Sequence, residues 1–197
     1  MEKMTTKDRI LDSALTLFSE KGYDGVGVDL IAEKVGLKGP SIYKHFKGKE
    51  DILDSLIEKV ETHYRDNFGS VINPGKIPET MDELITLSLK RIEFTIHDPM
   101  IKKVRRMLAM EQFRNSRIAV LTTKYTIDIV QGIYHKIFQT MMENGIMRQS
   151  DPALLAMSFT APISLLIQMC DRETEREQEA MERIEEFFRY FAEEYKV

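Results

Sequence analysis

Apolar positions along this chain recur at three- and four-residue intervals almost from end to end, and no run alternates β-branched residues as a strand would. The pattern predicts an all-α protein. A first helix is expected over about Thr6–Lys21, with Leu11, Leu15 and Phe18 in one stripe and Ile10, Ala14 and Leu17 beside it. Thr5 or Thr6 can cap its start, and Gly22 can end it in the left-handed conformation. A short helix follows over about Val28–Val35 and is broken by Gly36. Another spans about Pro40–Phe46, where proline suits the first turn because its missing N–H would have had no partner. A longer one runs from near Lys49 to about Phe68.

Residues Gly69 to Thr80 are rich in turn formers and read as a linker. Later helices are expected to start at Glu79–Asp82, Asp98–Pro99, Ser116 and Asp151–Pro152; in the Asp-Pro pairs the acid accepts free N–H groups and the proline fills the first turn. The helix from Ser116 is expected to run unbroken to Glu143 and stop at Asn144-Gly145. The last covers about Thr174–Tyr195, with Met181, Ile184, Phe188, Phe191 and Tyr195 along one seam.

Composition narrows the class. In 197 residues, 43% are hydrophobic and 30% charged, which fits a globular protein with a substantial core. A single cysteine, Cys170, excludes an internal disulfide framework and suits a reducing compartment. The N-terminus has no apolar stretch after its charges, so no secretory signal is expected. Pro152 to Cys170 carries no charge, but Ser158, Thr160, Pro162, Ser164 and Gln168 interrupt it; a buried core or interface helix is expected, not a membrane span. His45, His63, His97 and His135 lack metal-ligand spacing, and no phosphate loop or nucleophile elbow is present. No enzyme, metal or cofactor is expected.

The chain is acidic overall, at −4, yet Val35–Glu50 concentrates Lys38, Lys44, Lys47 and Lys49 and has no acid before its last residue. That basic segment falls on the two short helices. Neither can bury enough alone, and a helix-turn-helix solves this by packing both on a third helix. Its constraints are met: Ala32 is small at the crossing, Gly36 tolerates positive φ in the turn, and Ile31, Val35, Leu37 and Ile42 supply apolar contacts. The helix after the turn would enter the major groove. Lys38, Gly39, Ser41, Tyr43, Lys44 and His45 are its outward candidates; lysines release phosphate counterions, and the hydroxyls bond phosphate oxygens and fix register. Gly39-Pro40 permits close backbone approach, and Lys49 stands at a helix start that favours an anion.

The stretch "GYDGVGVDLIAEKVGLKGPSIYKHFKGKEDIL" resembles the N-terminal domain of the tetracycline-repressor (TetR) family, in Gly22-Tyr23, Ile31-Ala32, Gly36, Tyr43, Phe46 and Lys49-Glu50. The close resemblance covers about the first quarter of the chain. It implies a helix-turn-helix DNA-binding domain, here residues 1–48, and a helical ligand-binding and dimerising domain, here 49–197. It also brings in Gly27 and Val28, at the start of the second helix, as DNA-contact positions. The chain departs from the family pattern at Gly27, which lacks the usual capping hydroxyl, at Lys38 in place of serine, and at Pro40-Ser41 in place of Gly-Thr.

The expected protein is therefore a cytoplasmic regulator, a repressor by family default, that binds a palindromic double-stranded DNA site as a homodimer and is released by a small apolar effector. The helices from Ser150 and Thr174 are the candidate dimer interface. Met107, Met110 and Met169 are candidate effector contacts because thioethers fit varied apolar shapes, with His97, Tyr125 and Gln168 for polar orientation; ordinary core filling is the alternative for each methionine. Lys102, Lys103, Arg105 and Arg106 form a second basic cluster spread over more than one helix face. The rival reading is a helical carrier of small apolar molecules whose N-terminal region is purely structural.

Overall fold

The computed structural model describes residues 4–69 and 75–197; part of the expected linker, 70–74, lies outside them. Ten α-helices follow in order: α1 Thr6–Lys21, α2 Val28–Lys34, α3 Gly39–Ile42, α4 Lys49–Phe68, α5 Met81–His97, α6 Pro99–Glu111, α7 Ser116–Thr123, α8 Ile129–Glu143, α9 Pro152–Arg172 and α10 Glu177–Tyr195. The described residues contain no strand, only an isolated bridge between Met147 and Lys196. They divide into two compact units, 1–67 with 99–122, and 68–98 with 123–197.

Helix ends fall where local chemistry places them. Thr5 caps α1 by accepting from the Asp8 N–H at 3.1 Å, and Gly22 ends it at φ 78°. Thr80 caps α5 through the Glu83 N–H. Asp151 caps α9 through the Ala153 and Leu154 N–H groups, with Pro152 in the first turn. Gly145, at φ 69°, follows the end of α8. Two expectations are corrected. The helix expected over Pro40–Phe46 spans only Gly39–Ile42, with Tyr43–His45 in the turn after it. Nor is Ser116–Glu143 uniformly α-helical. Lys124–Asp128 is wound as a π turn, so α7 and α8 are separate α segments. A three-residue 3-10 turn, Thr174–Arg176, likewise precedes α10.

In the first unit, α1 inserts Ile10, Leu11, Ala14, Leu15, Leu17 and Phe18 into the core. It packs on α2 and on α6, whose Ile101, Val104, Met107 and Leu108 are buried. In the second unit, α8, α9, α10 and α5 surround an aromatic cluster centred on Phe159. That ring stacks on Phe188 at 4.7 Å and meets Phe191 edge-on at 4.7 Å, Tyr134 at 4.8 Å and Phe138 at 5.3 Å. Each such ring pair adds about 0.5–1.5 kcal/mol beyond its area burial. By length and composition α9 could cross a membrane, but a third of its apolar window is buried and its Leu155, Phe159 and Ile163 belong to this core.

Candidate nucleic-acid interface

The turn between α2 and α3 is closed by backbone bonds. The Gly36 N–H donates to Glu33 O at 3.0 Å and the Leu37 N–H to Ala32 O at 2.9 Å, with Gly36 at φ 72°. This is the left-handed corner that only glycine enters without a steric penalty. Ile31, Ala32, Val35, Ile42 and Phe46 point inward, all at most 6% exposed. A second fastener is Arg9 of α1, whose Nη2 donates to Val35 O at 2.8 Å. The sequence pattern does not reveal this bond, since it joins residues 26 positions apart.

With Ile42 and Phe46 inward, the three residues between them face solvent. Tyr43 is 61% exposed, and Lys44 and His45 are exposed beside it. Lys38 caps α3 through its backbone and is exposed; Pro40 is exposed, and Gly39 and Ser41 are half-buried. Gly27, exposed and extended, is the N-cap of α2, and Val28 is its half-buried first residue. The Asp29 carboxylate lies against Gly39, where any Cβ would collide with it. The backbone N–H of Lys47 donates to Asp51 Oδ2 at 2.7 Å, which fixes the corner entering α4.

Lys49 is placed differently from the other lysines. It is half-buried, its Nζ donates to Tyr23 O at 3.0 Å, and the ammonium sits 4.4 Å from the centre of the Tyr23 ring. Its charge thus holds the Gly22-Tyr23 corner to α4. Lys7, which the sequence reading passed over, lies with its Nζ 5.4 Å from the Phe46 ring centre, so a further exposed cation adjoins the segment that follows α3.

Two titrating groups mark the support. Asp8 is held below the usual carboxylate range by the Thr5 hydroxyl and by Lys59, whose Nζ reaches Asp8 Oδ1 at 2.9 Å. Tyr23 is pushed above the usual phenol range, chiefly by burial and then by the nearby Glu50.

The expected effector residues are distributed across the fold. Met107 and Met110 belong to the first unit; Met107 is buried and Met110 is 40% exposed. In the second unit, His97 is exposed at the end of α5 with Nε2 3.3 Å from Glu177 Oε1. Tyr125 lies in the π turn, its hydroxyl 3.4 Å from Lys124 Nζ. Gln168 is exposed on α9, and Met169 packs half-buried against the core.

Residues 10–56 match the family model described as bacterial regulatory proteins, tetR family. The biofilm operon icaADBC HTH-type negative transcriptional regulator IcaR of Staphylococcus epidermidis is 30% identical over 151 residues, covering 60% of this chain and 82% of that protein. IcaR of Staphylococcus aureus strain Newman is 50% identical over 52 residues, 26% of this chain and 28% of its own length. Among solved structures, a protein from Mesorhizobium loti placed with the TetR-family transcriptional regulators superposes with a TM-score of 0.75 at 21% identity, over 97% of this chain and 96% of that one. The SmeT–triclosan complex superposes at 0.74 with 16% identity, over 98% and 92%. At those identities the superpositions establish the fold, and the match to IcaR over most of its length establishes the relationship. The chain belongs to the TetR family of bacterial transcriptional regulators.

Proposed function

We propose that the protein is a cytoplasmic repressor that binds a palindromic operator as a homodimer and leaves it when a small apolar effector binds. The observation that carries the DNA reading is α3 together with the turn after it, with Ile42 and Phe46 in the core and Lys38, Tyr43, Lys44 and His45 outside. Residues 1–48 act as the reading domain and 49–197 as the sensing and dimerising domain. Gly27, Val28, Gly39, Pro40 and Ser41 let the backbone and a hydroxyl meet phosphates, and Lys49 contributes through its hold on Tyr23. Repression follows the relative named as a negative regulator. A solved neighbour of this fold is a complex with triclosan, which supports a small-molecule effector here; in the second unit half-buried Tyr125 and Met169, with His97 and Gln168 nearer solvent, are its proposed contacts, and in the first unit buried Met107 and partly exposed Met110 are proposed separately.

The test is Lys38→Glu with Lys44→Glu, measured against a random-sequence duplex pool across a salt series. The parent should lose affinity steeply with salt, by roughly 0.9 in log–log slope for each phosphate neutralised. The double variant should keep its helical content and melting temperature while its binding falls to background. Equal binding by the two proteins would remove α3 as the reading element.

A further inference from the structure

The Ser116–Glu143 helix holds one residue more than an α-helix accommodates. Its π turn, Lys124–Asp128, is bounded by Thr123 and Ile129, both in helical conformation, as is Asp128 at its end, and the Ile129 N–H donates to Lys124 O five residues back. The chain therefore stays helical through the turn. No glycine or proline lies within it, so the usual kink formers do not explain it. None of its five side chains is buried, whereas Ile118 on one flank and Ile133 on the other are at most 2% exposed. The Thr122 hydroxyl donates back to Ile118 O at 2.8 Å, a bond that bends helices. Isolated π turns are rare and concentrate at functional sites.

We propose that Lys124–Asp128 is a register-shifting joint, in which the helix alternates between a π and an α turn. Helix geometry sets the consequence: changing the turn by one residue rotates one flank against the other by about 100° and advances it by about 1.5 Å. Each flank is anchored by a buried isoleucine, Ile118 or Ile133, so the two windings are discrete states that binding at either flank can bias. The link to operator release rests on the proposed function; the existence of two windings does not.

The experiment uses the full chain without DNA. Spin labels at Val120→Cys and Lys136→Cys, exposed positions on the two flanks, are placed in a Cys170→Ala background. Two distance populations are expected in the parent, and one after deletion of Ile127, an exposed residue of the turn whose loss makes the helix regular with both flanks in place. A single narrow population in the parent overturns the joint, as does an unchanged pair of populations in the deletion variant. If the labelled or shortened chains do not fold, amide exchange on the unaltered protein decides. Amides across the turn should exchange at least about tenfold faster than those flanking Ile118 and Ile133, and equal protection overturns the joint. Because DNA is absent throughout, failure of the DNA reading would leave this result untouched.

Discussion

Lys49 shows how residue type and residue role separate. By sequence it is one of four lysines in a basic run; by structure its ammonium is shared between the Tyr23 carbonyl and the Tyr23 ring. A cation over an aromatic face contributes about 0.5–2 kcal/mol, depending on how far it is desolvated. Lys49 is half-buried, so the middle of that range applies. Lys49→Met should therefore lower stability by about 1 kcal/mol, seen as a lower denaturant midpoint, while the salt slope of DNA binding stays near the parent's. Lys44→Met should do the reverse, lowering the slope by about 1.8 for the homodimer, about 0.9 for each protomer's lost contact, with the midpoint unchanged. If Lys49→Met reduced the slope and spared stability, Lys49 would be a phosphate contact after all.

At the scale of elements, the α1 terminus is set by one glycine and one acid. Gly22 sits at φ 78°, and a Cβ there would collide with the Glu111 side chain from the end of α6. Glu111 is 3% exposed, and its Oε2 has no hydrogen-bond partner among the described residues. Two separate costs attend Gly22→Ala: a backbone at φ 78° and ψ 158° that essentially only glycine adopts, about 1–3 kcal/mol, and a steric clash. Gly22→Ala should then destabilise the protein by more than 2 kcal/mol, and Glu111→Ala in the same chain should restore the steric part only. Chemical denaturation of the two single variants and the double resolves this; simple additivity would mean Gly22 and Glu111 do not share the corner. Gly22 and Gly36 were legible in the sequence because few residues but glycine enter that backbone region. So were Thr5 and Asp151, whose caps are local. Arg9, Lys49 and Glu111 were not, because their partners lie far along the chain. The π turn was hidden for a different reason: apolar spacing on either side of an extra residue still reads as helical, and nothing in Lys124–Asp128 signals the change of winding.

For the whole molecule, the open question is what covers α9. One side of that helix carries Leu155, Phe159 and Ile163 into the core, all at most 7% exposed. The other leaves Leu154, Met157 and Leu165 at 60%, 50% and 67% exposure, with Ser158, Ala161 and Gln168 exposed between them. Their spacing places them along one helical face, and the apolar members have no packing partner comparable to the core's. A second copy would supply the same stripe in reverse, as a twofold interface requires, and would bury it without meeting a charge between Pro152 and Cys170. Fully burying one large aliphatic side chain is worth roughly 1.5–3 kcal/mol. Losing two per protomer, four across a symmetric interface, removes roughly 6–12 kcal/mol, comparable to the whole binding free energy of a micromolar dimer. Leu154→Glu with Leu165→Glu should therefore convert a dimer to a monomer in sedimentation velocity while helical content is kept, since neither side chain is part of the core. The variant should also bind a palindromic duplex with the affinity of a single half-site, because one protomer presents only one α3. Sedimentation as a dimer despite both glutamates would place the subunit contact elsewhere and leave the exposed face of α9 without a role in assembly.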